Sequence, residues 1–316
     1  MVLPEVYLHI QGAQYKRLIT ATEGLAAITT AIVHPCDALS LGGALEAGRR
    51  GLIQPVLVGP KARILAAAAQ AGESLTGIEI IDAPHSHAAA AMAVAMVRSG
   101  KVNALMKGAL HTDELMEAVV NAELGLRTER RMSHVYALDV PTYPKPLLVT
   151  DAAINIYPDL AHKRDIVQNA IDMMQSLGVT CPKVALLSAV ETINPHITST
   201  LDAAALCKMA DRGQIQGGMI EGPLAFDNAI SAKAAAEKGI RSQVAGEADI
   251  LVAPDLEAAN MIAKQLIYLA GADAAGIVLG ARVPIILTSR ADSLLSRLAS
   301  CALAKRYLDH QTGIRS

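Results

Sequence analysis

The chain has 316 residues, and 28 Lys plus Arg against 30 Asp plus Glu give a formal charge of -2, with no long run of one sign that could track a nucleic-acid backbone. Its composition is 52% hydrophobic but only 3% aromatic, without Trp and with one Phe, so the core must be filled by Ala, Leu, Ile, Val and Met. At this length two domains of roughly 130–170 residues are expected, each able to bury a core without staples.

The N-terminus carries Glu5, His9, Lys16 and Arg17 among short apolar stretches, unlike a secretory leader, and the chain reads as cytoplasmic. From residue 55 onward short apolar runs alternate with longer helical patterns, as βαβ units around a parallel sheet do. Val56, Leu57 and Val58 predict a strand that turns at Gly59 and Pro60 into an Ala-rich helix ending near Gly72. A strand over 78–82, a helix from near Ser86 to Gly100 and a strand over 102–106 follow. Residues 88–97 are the longest uncharged apolar stretch; it ends at Arg98, short of the roughly 18 residues a membrane span needs.

After the apolar run 135–140 and a strand over 147–149, the spacing predicts a helix over about 163–177. In it Ile166, Val167, Ala170, Ile171 and Met174 share one face, and Gly178 is the stop. The run 184–187 predicts a strand and 199–212 a helix ended by Gly213. A strand over 250–252 leads through Pro254 and Asp255 into a helix reaching Gly271, and two buried strands, 276–279 and 285–287, precede a helix that begins near Ser293. Residues 213–246 show no such alternation, and long irregular segments inside compact α/β proteins are more often functional than idle. Cys36, Cys181, Cys207 and Cys301 have no paired C-x-x-C spacing and read as reduced thiols, neither a zinc site nor a disulfide framework.

In an open parallel sheet ligands settle beyond the carboxyl ends of the strands, and there the sequence turns polar. Lys107 and Gly108, then His111 and Thr112, follow one strand; Asp151, Ser188, and Glu221-Gly222-Pro223 follow three others. The last cluster, Thr288-Ser289-Arg290-Ala291-Asp292-Ser293, sets hydroxyls, a guanidinium and a carboxylate just before a helix, where N–H groups and an Arg fork favour a phosphate oxygen. The alternative is that Ser289 or Asp292 merely caps that helix. Arg127, Arg130 and Arg131 form a second basic group that either holds phosphates or pairs on the surface with Glu123 and Glu129. No G-x-x-x-x-G-K-[ST], G-x-S-x-G or strand-borne G-x-G-x-x-G is present, which argues against triphosphate hydrolysis, an α/β-hydrolase nucleophile and ordinary dinucleotide binding.

Six separated motifs occur in order: MKGALHT at 106–112, GLRTERRMSHVYALDVP at 125–141, VTDAAINIYP at 149–158, EGPLAFDNAIS at 221–231, ADILVAPDLEAANMIAKQL at 248–266 and LTSRADS at 287–293. Together they make residues 42–296 resemble the phosphate acetyl/butyryltransferase family. That resemblance implies an α/β fold of two α/β/α domains, isocitrate/isopropylmalate dehydrogenase-like, with largely parallel sheets and an inter-domain cleft. It implies a first domain from 1–132 plus 286–316 and an inserted, dimerising second domain over 133–285.

The implied reaction joins acyl-CoA and phosphate in one ternary complex, without an acyl-enzyme, a metal or a tightly bound cofactor; coenzyme A is a substrate. By the same resemblance Ser289, Arg290 and Asp292 are catalytic, and Arg127, Lys107, Ser188, Gly222, Pro223 and Asp227 bind phosphate or CoA. In the acetyl branch an Asp seven residues beyond the Ser acts as base; here that position is Ser296, Asp292 is the nearest carboxylate, and Ser-Arg-Ala-Asp-Ser resembles the butyryl branch. Two other readings stand beside this one: a metal- and NAD-dependent decarboxylating dehydrogenase of the same fold, with Asp151, Asp227 and Asp255 as the available carboxylates, and a non-catalytic CoA-binding protein.

Overall fold

The computed structural model describes residues 12–289 and 292–315. The chain divides into two compact units: Tyr15–Arg131 with the segment from Ala275 onward, and Met132–Ala274 with the described residues up to Gln14.

The first of these is built on strands β1 (Ile28–Val33), β2 (Ile53–Gly59), β3 (Glu79–Asp82) and β4 (Ala104–Lys107). Helices α2 (Ala38–Arg49), α3 (Lys61–Ala71) and α4 (Ser86–Arg98) link successive strands, after the short α1 (Ala13–Thr20). β3, β2, β1 and β4 lie side by side and parallel, a βαβ series in which β1 and β4 are almost wholly buried. α4 packs through Ala89, Ala90 and Ala93, small residues that let a helix approach a sheet closely. It stops where Gly100 takes a left-handed φ of 74° and Lys101 N–H bonds back to Met96 O at 2.9 Å. Strand β1 and helix α2 precede residue 55, where the alternation in the sequence becomes regular.

Helix α5 (Thr112–Val120) follows β4, and the chain re-enters this unit at its other end as β10 (Asp273–Leu279), β11 (Ile285–Ile286) and α11 (Leu294–Arg315). β11 lies parallel to β4, with Ile285 opposite Leu105 and Ile286 opposite Met106, while β10 runs antiparallel to β11. The expected chain crossing near 285 thus falls inside this hairpin, and the compact units exchange chain at Ala275.

The second unit carries β5 (Ser133–Asp139), β6 (Leu147–Thr150), β7 (Lys183–Leu187), β8 (Met219–Leu224) and β9 (Ile250–Val252) in the order β5-β6-β9-β7-β8. β5 and β6 are antiparallel; all other pairs are parallel. Helix α6 (Leu160–Ser176) starts at Asp159, whose carboxylate accepts from His162 N–H at 2.8 Å, and buries Ile166, Val167, Ala170, Ile171 and Met174, the face its spacing predicts. Helices α7 (Thr198–Asp211) and α10 (Leu256–Leu269) cover the same sheet. Residues 213–246, expected to be irregular, contain β8 and two short helices, α8 (Phe226–Ile230) and α9 (Ala232–Glu237). Their sequence hides this because Gly222 and Pro223 interrupt a strand and α8 is barely more than a turn. Among the described residues no helix is long and apolar enough to cross a membrane.

Candidate active site

β4 reads Ala-Leu-Met-Lys, apolar until its carboxyl end, where Lys107 is only 7% exposed. A buried ammonium needs acceptors, and Lys107 Nζ donates to Gly108 O at 3.3 Å and Leu110 O at 3.0 Å. The turn it closes is stitched to the end of β1: Gly108 N–H bonds Val33 O at 2.9 Å and Ala109 N–H bonds His34 O at 2.8 Å. A Cβ at position 108 would sit 2.4 Å from Val33 O, so only glycine allows this approach. His34 itself takes a left-handed φ of 56°, and burial pushes its imidazole below the ordinary histidine range.

The register of β11 on β4 brings the segment after β11 to the same end of the sheet as Lys107. There Ser289 is exposed, its backbone N–H is held by Asp292 Oδ2 at 2.6 Å, and Asp292 N–H returns to Ser289 O at 3.2 Å. Neither of the two caps α11. Ser293 does, its hydroxyl accepting from Ser296 N–H at 3.1 Å. The Ser289–Asp292 turn is therefore left as a short loop ahead of the helix. Arg290, the cation expected within it, lies outside the described residues.

Arg127 is anchored elsewhere in this unit. Arg282 N–H bonds Leu126 O at 3.0 Å and Thr128 Oγ1 bonds Gly280 O at 2.7 Å, which fixes residues 126–128 beside the turn that precedes β11. Ser289 stands beyond the opposite end of that strand, and Arg127 Nε donates to Val120 O.

In the other unit the structure brings Ser188, Gly222 and Pro223 together. Ser188 follows β7, its N–H bonds Leu224 O at 2.9 Å, and its hydroxyl is 2.9 Å from that of Ser199 at the start of α7. A Cβ on Gly222 would lie 2.6 Å from Leu186 Cβ, so β8 can pass β7 this closely only without a side chain there. Asp227 opens α8 and shares Lys238 with Glu191, at 3.5 Å and 2.6 Å respectively. The Lys238 ammonium holds the Glu191 carboxyl below its usual range, and Asn228 Nδ2 also donates to Glu191.

The carboxylates that a dehydrogenase reading would converge on a cation have separate duties. Asp151 accepts four backbone N–H groups, from His134, Ala153, Ile154 and Asn155, at 3.0 to 3.1 Å. Asp255 caps α10 through Ala258 N–H at 2.8 Å, and Asp227 faces Lys238. Three cysteines are poor nucleophiles, because burial raises the Cys36 thiol and pushes Cys207 up to about 11 and Cys301 up to about 12. Cys181 is exposed but sits before β7, away from the carboxyl ends of the strands.

Two residues of this region escaped the sequence reading. His34 directly follows β1, ahead of the regular alternation. Arg297 is 4% exposed and donates to Thr288 Oγ1 at 3.2 Å and Ser289 O at 2.9 Å. Its signal was an Arg set three residues after Leu294 and four before Cys301, at helical spacing in a stretch whose other residues are apolar or small.

Residues 85–304 match the family described as phosphate acetyl/butaryl transferase. A phosphate acetyltransferase of Rhizobium meliloti is 61% identical over 94% of this chain and 94% of its own length. A phosphate butyryltransferase of Clostridium acetobutylicum is 42% identical over 82% of this chain and 86% of its own. The crystal structure of a branched-chain phosphotransacylase from Enterococcus faecalis superposes with a TM-score of 0.75 at 30% identity, covering 89% of this chain and 99% of that one. The chain belongs to the phosphate acetyl/butyryltransferase family and is a phosphate acyltransferase.

Proposed function

We propose that this enzyme interconverts acyl-CoA plus inorganic phosphate with acyl phosphate plus CoA by direct transfer in a ternary complex. The observation that carries this reading is the exposed Ser289 in a turn locked by Asp292, at the sheet end where the buried Lys107 also lies. A phosphate oxygen attacks the thioester carbon, the carbonyl electrons move onto oxygen, and collapse of the tetrahedral intermediate expels the CoA thiolate. The Ser289 hydroxyl and the Arg290 fork hold the phosphate, and positive charge at this edge stabilises the developing oxyanion. In the reverse direction Asp292 takes the thiol proton. Raised thiol pKa values at Cys36, Cys207 and Cys301 favour direct transfer over an acyl-cysteine.

Arg127, fixed at the far end of β11, is assigned to CoA at a distance from the thioester. Ser188, Gly222, Pro223 and Asp227 are assigned to substrate binding on the second unit. The remaining assignments are a cytoplasmic location and a homodimer formed through residues 133–285, which sedimentation equilibrium tests. Acetyl-, propionyl- and butyryl-CoA, each incubated with the protein with and without phosphate while released thiol is followed, test the function. Phosphate-dependent release is expected, with the three rates ranking the chain length; release of equal rate without phosphate overturns the reading.

A further inference from the structure

Arg297 is a buried cation. Among the described residues no Asp or Glu oxygen lies within ion-pair distance of it, although a guanidinium removed from water ordinarily acquires one. Its bonds go instead to the segment just ahead of the proposed reacting turn, one nitrogen to Thr288 Oγ1 and the other to the Ser289 carbonyl. The stem is seated as firmly as the head. A Cβ on Gly43 of α2 would come within 2.7 Å of Arg297 Cδ, so the glycine is the slot through which the side chain passes. The α11 arginine is thus seated against α2, and its two arms hold successive residues, Thr288 and Ser289.

The Ser289 backbone is pinned on both sides, its N–H by Asp292 and its carbonyl by Arg297. We propose that Arg297, seated by Gly43, is a positioning residue that fixes the Ser289 turn for acyl transfer. This rests on the assignment of Ser289 to the reaction. A fork suits this site, because two separate nitrogens, Nη1 and Nη2, each take one acceptor in a fixed planar geometry, whereas a lysine offers a single nitrogen for both. Displacing a reacting group by about 1 Å costs on the order of 100-fold in rate.

The test uses Arg297→Met, Arg297→Lys, Gly43→Ala and Ser289→Ala, with the double variant Ser289→Ala/Arg297→Met. Steady-state kinetics with acetyl-CoA and phosphate are measured together with thermal unfolding. Arg297→Met is expected to lower kcat on the order of 10- to 100-fold with little change in KM for acetyl-CoA, and Arg297→Lys to recover only part of it. Gly43→Ala is expected to lower kcat while the protein stays folded, since alanine is the better helix former and only the arginine stem must move. In the Ser289→Ala background the Arg297→Met change is expected to cost little more, because a residue acting through Ser289 has nothing left to position. A purely structural arginine would reduce both backgrounds equally, and that result overturns the proposal. So does full kcat in both Gly43→Ala and Arg297→Met while Ser289→Ala is impaired. Full activity of Ser289→Ala sinks instead the assignment of Ser289 itself.

Discussion

Asp292 Oδ2 accepts the backbone N–H of Ser289 at 2.6 Å, and Ser289 O accepts that of Asp292 at 3.2 Å, so the two residues close a turn through each other. One carboxylate oxygen of the proposed base is therefore already committed to the backbone of the proposed phosphate ligand. Asp292→Asn keeps an oxygen able to accept that N–H while removing basicity, and Asp292→Ala removes both. In the acyl phosphate to acyl-CoA direction at neutral pH, Asp292→Asn is expected to lose on the order of 100-fold in rate, with a further loss in Asp292→Ala. Consumption of CoA thiol measures both. A normal rate for Asp292→Asn leaves Asp292 with the turn alone.

The two arginines assigned to substrate separate kinetically. Arg290 is the cation proposed to hold phosphate, and Arg290→Ala is expected to lower kcat on the order of 100- to 1,000-fold. Arg127 is held beside Gly280 and Arg282, before β11, so Arg127→Ala is expected to raise KM for acyl-CoA about tenfold with a smaller effect on kcat. Initial rates over a matrix of both substrates distinguish the patterns. An equal fall in kcat for both variants would place the two cations on the same reacting atoms.

Gly108 and Gly100 flank the same strand but carry different constraints. A Cβ at 108 meets backbone, with Val33 O at 2.4 Å and His34 O at 2.7 Å, whereas at 100 it meets nothing within 4 Å and only the φ of 74° is unfavourable. Gly108→Ala is expected to cost about 1–3 kcal/mol or more, as overpacking does, and to lower activity by shifting Lys107. Gly100→Ala is expected to cost about 1 kcal/mol with activity retained. Urea unfolding and turnover of the two variants check both; equal losses of stability would mean that the turn after β4 relaxes freely.

Much of this was legible in the sequence because the code involved is local. β4, β7 and β9 announce themselves as unbroken apolar runs, and Gly72, Gly100 and Gly178 end their helices at the positions their left-handed φ requires. The polar residues that follow those runs sit at strand ends for the same reason. Glu221-Gly222-Pro223, expected beyond the end of a strand, lie inside β8, because glycine and proline within it erase the period-two signal, and β1 was missed because Thr29 and Thr30 dilute its apolar run. Arg297 was invisible as a loop clamp because its partners, Thr288, Ser289 and Gly43, come together only through packing of α11 against α2. Whether Ser289, Asp292 or Ser293 caps the helix is likewise a matter of hydrogen-bond geometry that three adjacent cap-forming residues leave open.

His134 tests the second unit by pH. It lies wholly buried on β5, Nδ1 has no partner among the described residues, and its ring meets Tyr136 edge-on at 4.4 Å. Burial alone drives its pKa down to about 3 from the ordinary 6.5. Between those values the unfolded chain binds a proton that the native one does not, so stability is lost as pH falls below 6.5, at about 1.4 kcal/mol per pH unit. His134→Phe removes the titration and keeps the contact with Tyr136, while the backbone N–H of residue 134 can still reach Asp151. Burial raises the Asp151 carboxyl, which acts in the opposite sense, but it is common to both proteins and drops out of their difference. The unfolding free energy is therefore expected to fall about 2 kcal/mol more between pH 7 and pH 5 in the native sequence than in His134→Phe, measured by denaturant titration at each pH. Parallel pH profiles would show that the folded protein accommodates the imidazolium, and that the ring has a proton acceptor or water within reach.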